Sequence, residues 1–183
     1  MMKIKSILLI ILAMIANSAQ AIVVIEDFAD KDLKNNPEWA GDTASMKIYK
    51  GELRVATPNS NGYSSVYTKS DVLKNGGTWM AWFYIGTTPT ASNHTIFVLS
   101  SETDDMSAPK GYFVKVGGSA KNICLLSNGG ESLKGDNTTL KTLIKSEDKR
   151  VNATSVKVFI RVTRDSVGNW KLESKLAGES NYK

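Results

Sequence analysis

The stretch from Thr78 to Gly118 constrains this chain most. It reads TWMAWFYI, a turn GTTPTASN, then HTIFVLSSETDD, MSAPKG and YFVKVGG. These are three apolar runs of strand length, each closed by Gly, Pro, Asn, Asp or Ser, with no helical spacing of apolar residues among them. Branched and aromatic side chains fill the runs because they suit a pleated, packed surface. In the first run Trp79, Ala81, Phe83 and Ile85 share one side, and Met80, Trp82 and Tyr84 the other. A strand apolar on both faces is predicted to lie in the middle of a sheet, with a layer over each side.

The same signals recur on either side. Ile22 to Phe28 reads as a strand and runs into the polar connection ADKDLKNNPEWAGD, where Trp39 is expected to plug the loop onto the sheet. Met46 to Tyr49 and Glu52 to Ala56 form a hairpin across Lys50-Gly51, with glycine supplying the positive φ of a tight turn. After the loop TPNSNG, Ser64 to Thr68 is a short strand, and Ser70 to Gly77 turns into the central run. Beyond Gly118, Asn122 to Ser127 is a strand, Asn128 to Thr138 is turn-rich, and Thr139 to Ile144 suits either a strand or one turn of helix. Ser155 to Thr163 alternates most cleanly: Val156, Val158, Ile160 and Val162 against Lys157, Phe159, Arg161 and Thr163. Asp165 to Gly168 then turns into Asn169 to Leu176, where Trp170, Leu172 and Leu176 share a face. Ten or so short strands with turns throughout predict an all-β, two-sheet antiparallel sandwich over residues 22–183. The sequence reaches Lys183 just after a strand and the polar turn GESN. A sandwich ending there leaves an unpaired edge, so one or more C-terminal strands are expected beyond it.

The N-terminus reads as an address. Lys3 and Lys5 precede an almost wholly apolar Ser6 to Ala16, and Ala19-Gln20-Ala21 has the small-x-small pattern of signal cleavage. Residues 1–21 are therefore predicted to be a signal peptide cleaved after Ala21, giving a secreted or cell-surface protein with no membrane span. The alternative, an uncleaved anchor, is disfavoured because the apolar core is short of the ~20 residues a span requires. Loss of Lys3 and Lys5 lowers the formal charge from +5 to +3. The remaining basic residues are scattered along the sequence, which argues against nucleic acid as a partner. Cys124 is the single cysteine, so no internal disulfide is available, and with one histidine, His94, there is no Cys/His zinc cage. Cys124 is expected to act as a small buried hydrophobe.

The phrases DFAD, NNPEWAGDTASMKI, GELRVA, GGTWMAWFYIG with TASN, FVLSSETDDMSAPKGYFVKVGG and VFIRVTRDSVGNWKLE resemble a laminin-G/concanavalin-A-like domain. Such domains stand at the N-termini of secreted multidomain Bacteroidetes proteins, often with lamin-tail or sorting domains downstream. The resemblance covers nearly all of the mature chain. It implies a jelly-roll sandwich, a secreted context and further domains of the same chain; it carries no catalytic residues to transfer. The family's C-terminal strand with an aromatic-Asp pattern is missing here, which fits a chain that continues past Lys183.

Three groups of side chains are candidates for chemistry. Trp82 and Tyr84, with Tyr112 joining from the strand after Gly111, offer aromatic faces on which a sugar ring can stack. Packing under a loop or against the other sheet is the competing explanation for such rings. Glu102, Asp104 and Asp105, with Asp27 and Asp30, offer oxygen ligands of the kind that a structural Ca²⁺ takes. No full ligand set can be read off, so a solvated loop capped by its own side chains is preferred. Glu102-Thr103-Asp104-Asp105 also resembles half of the laminarinase E-x-D-x-E pattern, with Met106 where the second Glu belongs. Asn93, Asn137 and Asn152 head N-x-T acceptor patterns and are taken as chance loop sequences. The expectation is a non-catalytic interaction module for a glycan or other surface polymer, requiring no cofactor. The alternatives are a structural spacer or adhesin-type domain without a small ligand and, less well supported, a glycoside hydrolase or polysaccharide lyase.

Overall fold

The structure is a computed structural model that describes residues 26–35, 37–56, 63–69, 76–133 and 140–183. Residues 1–21, expected to be a signal peptide, Ile22 to Ile25, the loop TPNSNG, most of the turn before the central run, and Asn137 lie outside the described residues. The strands are β1 (Ala40–Gly41), β2 (Met46–Ile48), β3 (Leu53–Val55), β4 (Val66–Tyr67), β5 (Gly77–Ile85) and β6 (His94–Ser101). They continue as β7 (Lys110–Gly117), β8 (Asn122–Gly129), β9 (Lys141–Lys145), β10 (Val156–Arg164) and β11 (Trp170–Leu176). One 3-10 turn, Thr43–Ser45, precedes β2.

Two antiparallel sheets carry most of the fold, one in the order β11-β10-β5 and the other β6-β7-β8-β9; β1-β4 and β2-β3 form small pairs. The inner row of β10 explains the first sheet. Val156, Val158, Ile160 and Val162 are buried, and Val158, Ile160 and Val162 stand opposite Phe83, Ala81 and Trp79 of β5. From the second sheet Leu99, Val114, Val116, Ile123 and Leu125 join the same core. Aromatic contacts bridge the layers: Phe83 meets Phe97 edge-on at 5.9 Å, and Tyr112 meets Trp170 at 4.8 Å. Packing of this kind between two inner faces makes a sandwich. Trp170, Leu172 and Leu176 all pack on this core, and residues 141–145 settle as a strand.

The outer faces of the two sheets have different fates. Ile96, Val98, Phe113, Cys124 and Leu126 point away from the main core and gather a second one with Leu133 and Leu140. Leu133 is pinned there by its N–H, which donates to the Ser107 carbonyl at 2.8 Å. The Cys124 thiol, half-buried in this cluster, donates to Asn122 Oδ1 at 3.1 Å, and burial pushes its pKa up. Among the described residues the outer face of β5 and β10 has no such cover: Met80 is 64% exposed and Tyr84 53%. Here the structure corrects the expectation for β5. Among the described residues it pairs only with β10, and its second apolar face is open. Parity alone identified which residues share that face; it carried no information about what covers them.

Two further expectations change. Glu26 to Phe28 are irregular, not strand. Trp39 fastens to that segment instead of the sheet: its Nε1 donates to Glu26 Oε2 at 3.0 Å and its ring lies 6.1 Å from Phe28. His94 begins β6 with its Nδ1 3.1 Å from the Ala91 carbonyl oxygen.

Turn chemistry fixes the hairpins. Asp165 Oδ1 accepts from the N–H groups of Val167 and Asn169 at 3.0 and 2.8 Å, and Gly168 takes φ +98°, closing β10 onto β11. On β6 the register shifts between Val98 and Ser100, and Gly111 lies against that bulge, where a Cβ would collide with the Ser100 carbonyl oxygen. Past β11 the chain folds back: Ser174 and Lys183 exchange both backbone hydrogen bonds at 2.9 Å. Glu179 anchors this return through the buried guanidinium of Arg150, with Nη1 to Oε1 at 2.7 Å and Nη2 to Oε2. It also meets Lys183 Nζ at 2.8 Å and accepts the Leu176 N–H at 2.8 Å.

Two tests follow from this packing. Phe113→Ala is expected to cost about 3–5 kcal/mol in denaturant unfolding, whereas Phe159→Ala on the open face costs only about 1 kcal/mol, a lost cross-strand aromatic pair. Arg150, then Lys183, hold the Glu179 carboxyl far below its ordinary value of 4.5. A carboxylate depressed in the folded state contributes stability above its unfolded pKa and loses it as pH falls through the folded one. The melting temperature should therefore drop on acidification below about pH 4.5. Glu179→Gln should melt lower at pH 7 and lose less on acidification; parallel pH profiles for the two proteins would remove Glu179 from the account.

Candidate binding face

The outer face of β5, β10 and β11 is laid out by register. Tyr84 stands opposite Lys157; Trp82 stands opposite Phe159, which in turn stands opposite Lys175; Met80 stands opposite Arg161, which stands opposite Glu173. Strand alternation places all of them on the side away from the core. Trp82 and Phe159 are each 36% exposed, with ring centroids 6.5 Å apart and tilted. The Tyr84 hydroxyl accepts from Ser155 Oγ at 3.3 Å, which holds the ring beside the start of β10.

Cations sit among these rings. Lys157 Nζ lies 5.9 Å from the Trp82 ring centre and Lys175 Nζ 5.5 Å from that of Phe159. Arg161 stacks at 4.3 Å on Tyr182, which the folded-back tail brings onto this face, and Lys175 approaches the same ring at 5.6 Å. Glu173 is the carboxylate of the group. Arg161 takes both its oxygens at 2.9 Å and Lys171 adds a contact at 2.9 Å, so Arg161 first, then Lys171, holds its pKa down. The result is an exposed aromatic surface of tilted rings bordered by ammonium groups able to donate hydrogen bonds. A depression of about 310 Å³, lined by Ala153, Ser155, Val156, Lys157, Leu176 and Ala177, adjoins its Tyr84 end.

The candidates named from sequence separate here. Trp82 and Tyr84 share the open face. Tyr112 does not join them: an even position on β7, it points between the sheets and packs on Trp170. Glu102 pairs with Lys110 at 2.8 Å on the surface, and Asp105 Oδ1 accepts from the N–H and hydroxyl of Ser107 at 2.9 and 2.7 Å. Asp104 belongs to the same β6–β7 connection. Among the described residues no group of three or more His, Cys, Asp or Glu side chains is placed to hold a metal ion. Phe159, Lys157, Lys175 and Tyr182, which the sequence reading did not single out, lie on the same face. The available signal was Phe159 itself, an aromatic residue on the otherwise polar side of the β10 alternation.

Comparison of the chain with family models, with curated proteins and with solved structures gave no match.

The open face has a spectroscopic signature. Of the tryptophans at 39, 79, 82 and 170, Trp82 is the most exposed by class, the other three being half-buried. Trp82→Phe should therefore remove the emission most easily quenched by acrylamide while leaving the melting temperature within about 2 °C. Unchanged quenching would mean that the ring is covered in solution.

Proposed function

We propose that this chain is a secreted, non-catalytic interaction module that holds a glycan or another surface polymer on the outer face of β5, β10 and β11. The observation that carries the reading is the partly exposed row of Trp82 and Phe159 with Tyr84 beside it. Exposed apolar patches bordered by polar groups mark interaction sites. A sugar ring offers such a surface both an apolar face for stacking and hydroxyls for the neighbouring hydrogen-bonding groups. In finer detail we read the sandwich as a laminin-G/concanavalin-A-like jelly roll. The supports are the sequence phrases that resemble that family and two antiparallel sheets sharing one core.

The test is affinity electrophoresis of the protein through gels cast with single polysaccharides. Retardation by at least one of them is expected. Trp82→Ala should weaken it about tenfold, the loss of roughly 1.4 kcal/mol of ring contact, with melting unchanged. A blank panel from folded protein would leave the spacer or adhesin-type alternative in its place.

A further inference from the structure

We infer that the polymer recognised by this face is an acidic polysaccharide, carrying carboxylates on its sugar units. This rests on the glycan reading above and specifies the chemistry within it. The strands bring together cations that lie apart in sequence: Lys157 and Arg161 from β10, Lys171 and Lys175 from β11. Against these four stands Glu173, which Arg161 and Lys171 already engage. Lys157 and Lys175 have no carboxylate partner among the described residues; each instead rests near an aromatic ring. Their charges flank the Trp82–Phe159 pair, Lys175 directly across from Phe159 and Lys157 two residues before it on β10.

That arrangement fits one ligand chemistry. A sugar stacked on the Trp82–Phe159 pair has the Lys157 ammonium beside the Trp82 ring and the Lys175 ammonium beside the Phe159 ring, where a ring carboxylate gains charge-assisted hydrogen bonds. A neutral sugar leaves both charges unused. A second copy of this face brings lysines against lysines, and like charges in register oppose it. A nucleic-acid strand is gripped chiefly through its phosphates, which suits a stripe of many cations better than two lysines beside the Glu173 carboxylate. A polymer with one carboxylate per sugar matches two lysines set beside neighbouring rings.

The experiment compares the whole chain in gels cast with polygalacturonate, with a neutral β-glucan or with single-stranded oligothymidylate. Polygalacturonate should retard it, and raising the salt from about 50 to 500 mM should weaken that binding about tenfold, since exposed ion pairs are screened. Lys157→Met with Lys175→Met keeps the apolar stems over the rings. It should lower polygalacturonate affinity at least tenfold without a change in melting. Equal, salt-insensitive binding of the neutral glucan would overturn the acidic class and leave the glycan reading standing. Tighter binding of the oligothymidylate than of polygalacturonate would replace polysaccharide by nucleic acid. A dimer in sedimentation that shields Trp82 from quencher would assign the face to self-association. No retardation by any polymer would remove both readings. Should the double variant unfold, the salt dependence of the unaltered protein decides.

Discussion

The contact between two apolar rows, Val158, Ile160 and Val162 of β10 on one side and Val114, Val116, Ile123 and Leu125 of the second sheet on the other, sustains everything else in this structure. All seven are fully out of water. Because side chains alternate along a strand, burying one row forces the next residue of each strand outward. Lys157, Phe159 and Arg161 are therefore committed to the opposite side of their sheet, and β5, in register with β10, commits Met80, Trp82 and Tyr84 with them. The open aromatic face is a consequence of how the core is filled.

Why that face stays open while its counterpart is covered comes down to the connections. Just after β8, Leu133 settles onto Phe113 and Leu126 on the outside of the four-stranded sheet, and Leu140, just before β9, joins them. On the other side the folded-back tail contributes Tyr182 at the margin, and lysine and arginine side chains lie over the rings. Their aliphatic stems shield part of the apolar surface while the charged heads remain in water. This keeps the face soluble without occupying it.

Much of the fold was legible in the residues. The period-two pattern of Ser155 to Thr163 identified β10 and its buried row, and the Lys50-Gly51 turn placed a hairpin where Lys50 and Gly51 do take positive φ. Trp170, Leu172 and Leu176, placed on one face by their period, pack together on the core. The site was legible only in part, for a physical reason. Periodicity states which residues share a side of one strand, and so paired Trp82 with Tyr84. It is silent on which strand lies alongside, and register alone sets Phe159 beside Trp82 and Lys175 beside Phe159. Tyr112 shows the converse: its neighbours in sequence suggested a shared platform, but its strand belongs to the other sheet.

The pairing of β5 with β10 also carries a consequence for how the molecule assembles. The second sheet is a meander of neighbours, each strand meeting the next across a modest connection, whereas Ile85 must find Val156 and Gly77 must find Arg164. Closing so long a loop costs entropy before any contact offsets it, and non-local pairing of this kind slows folding. The meander is thus the natural template, and β5 is the late arrival. Until β10 has formed, the most aromatic segment of the chain waits as an unsatisfied ribbon, vulnerable to any other strand it meets.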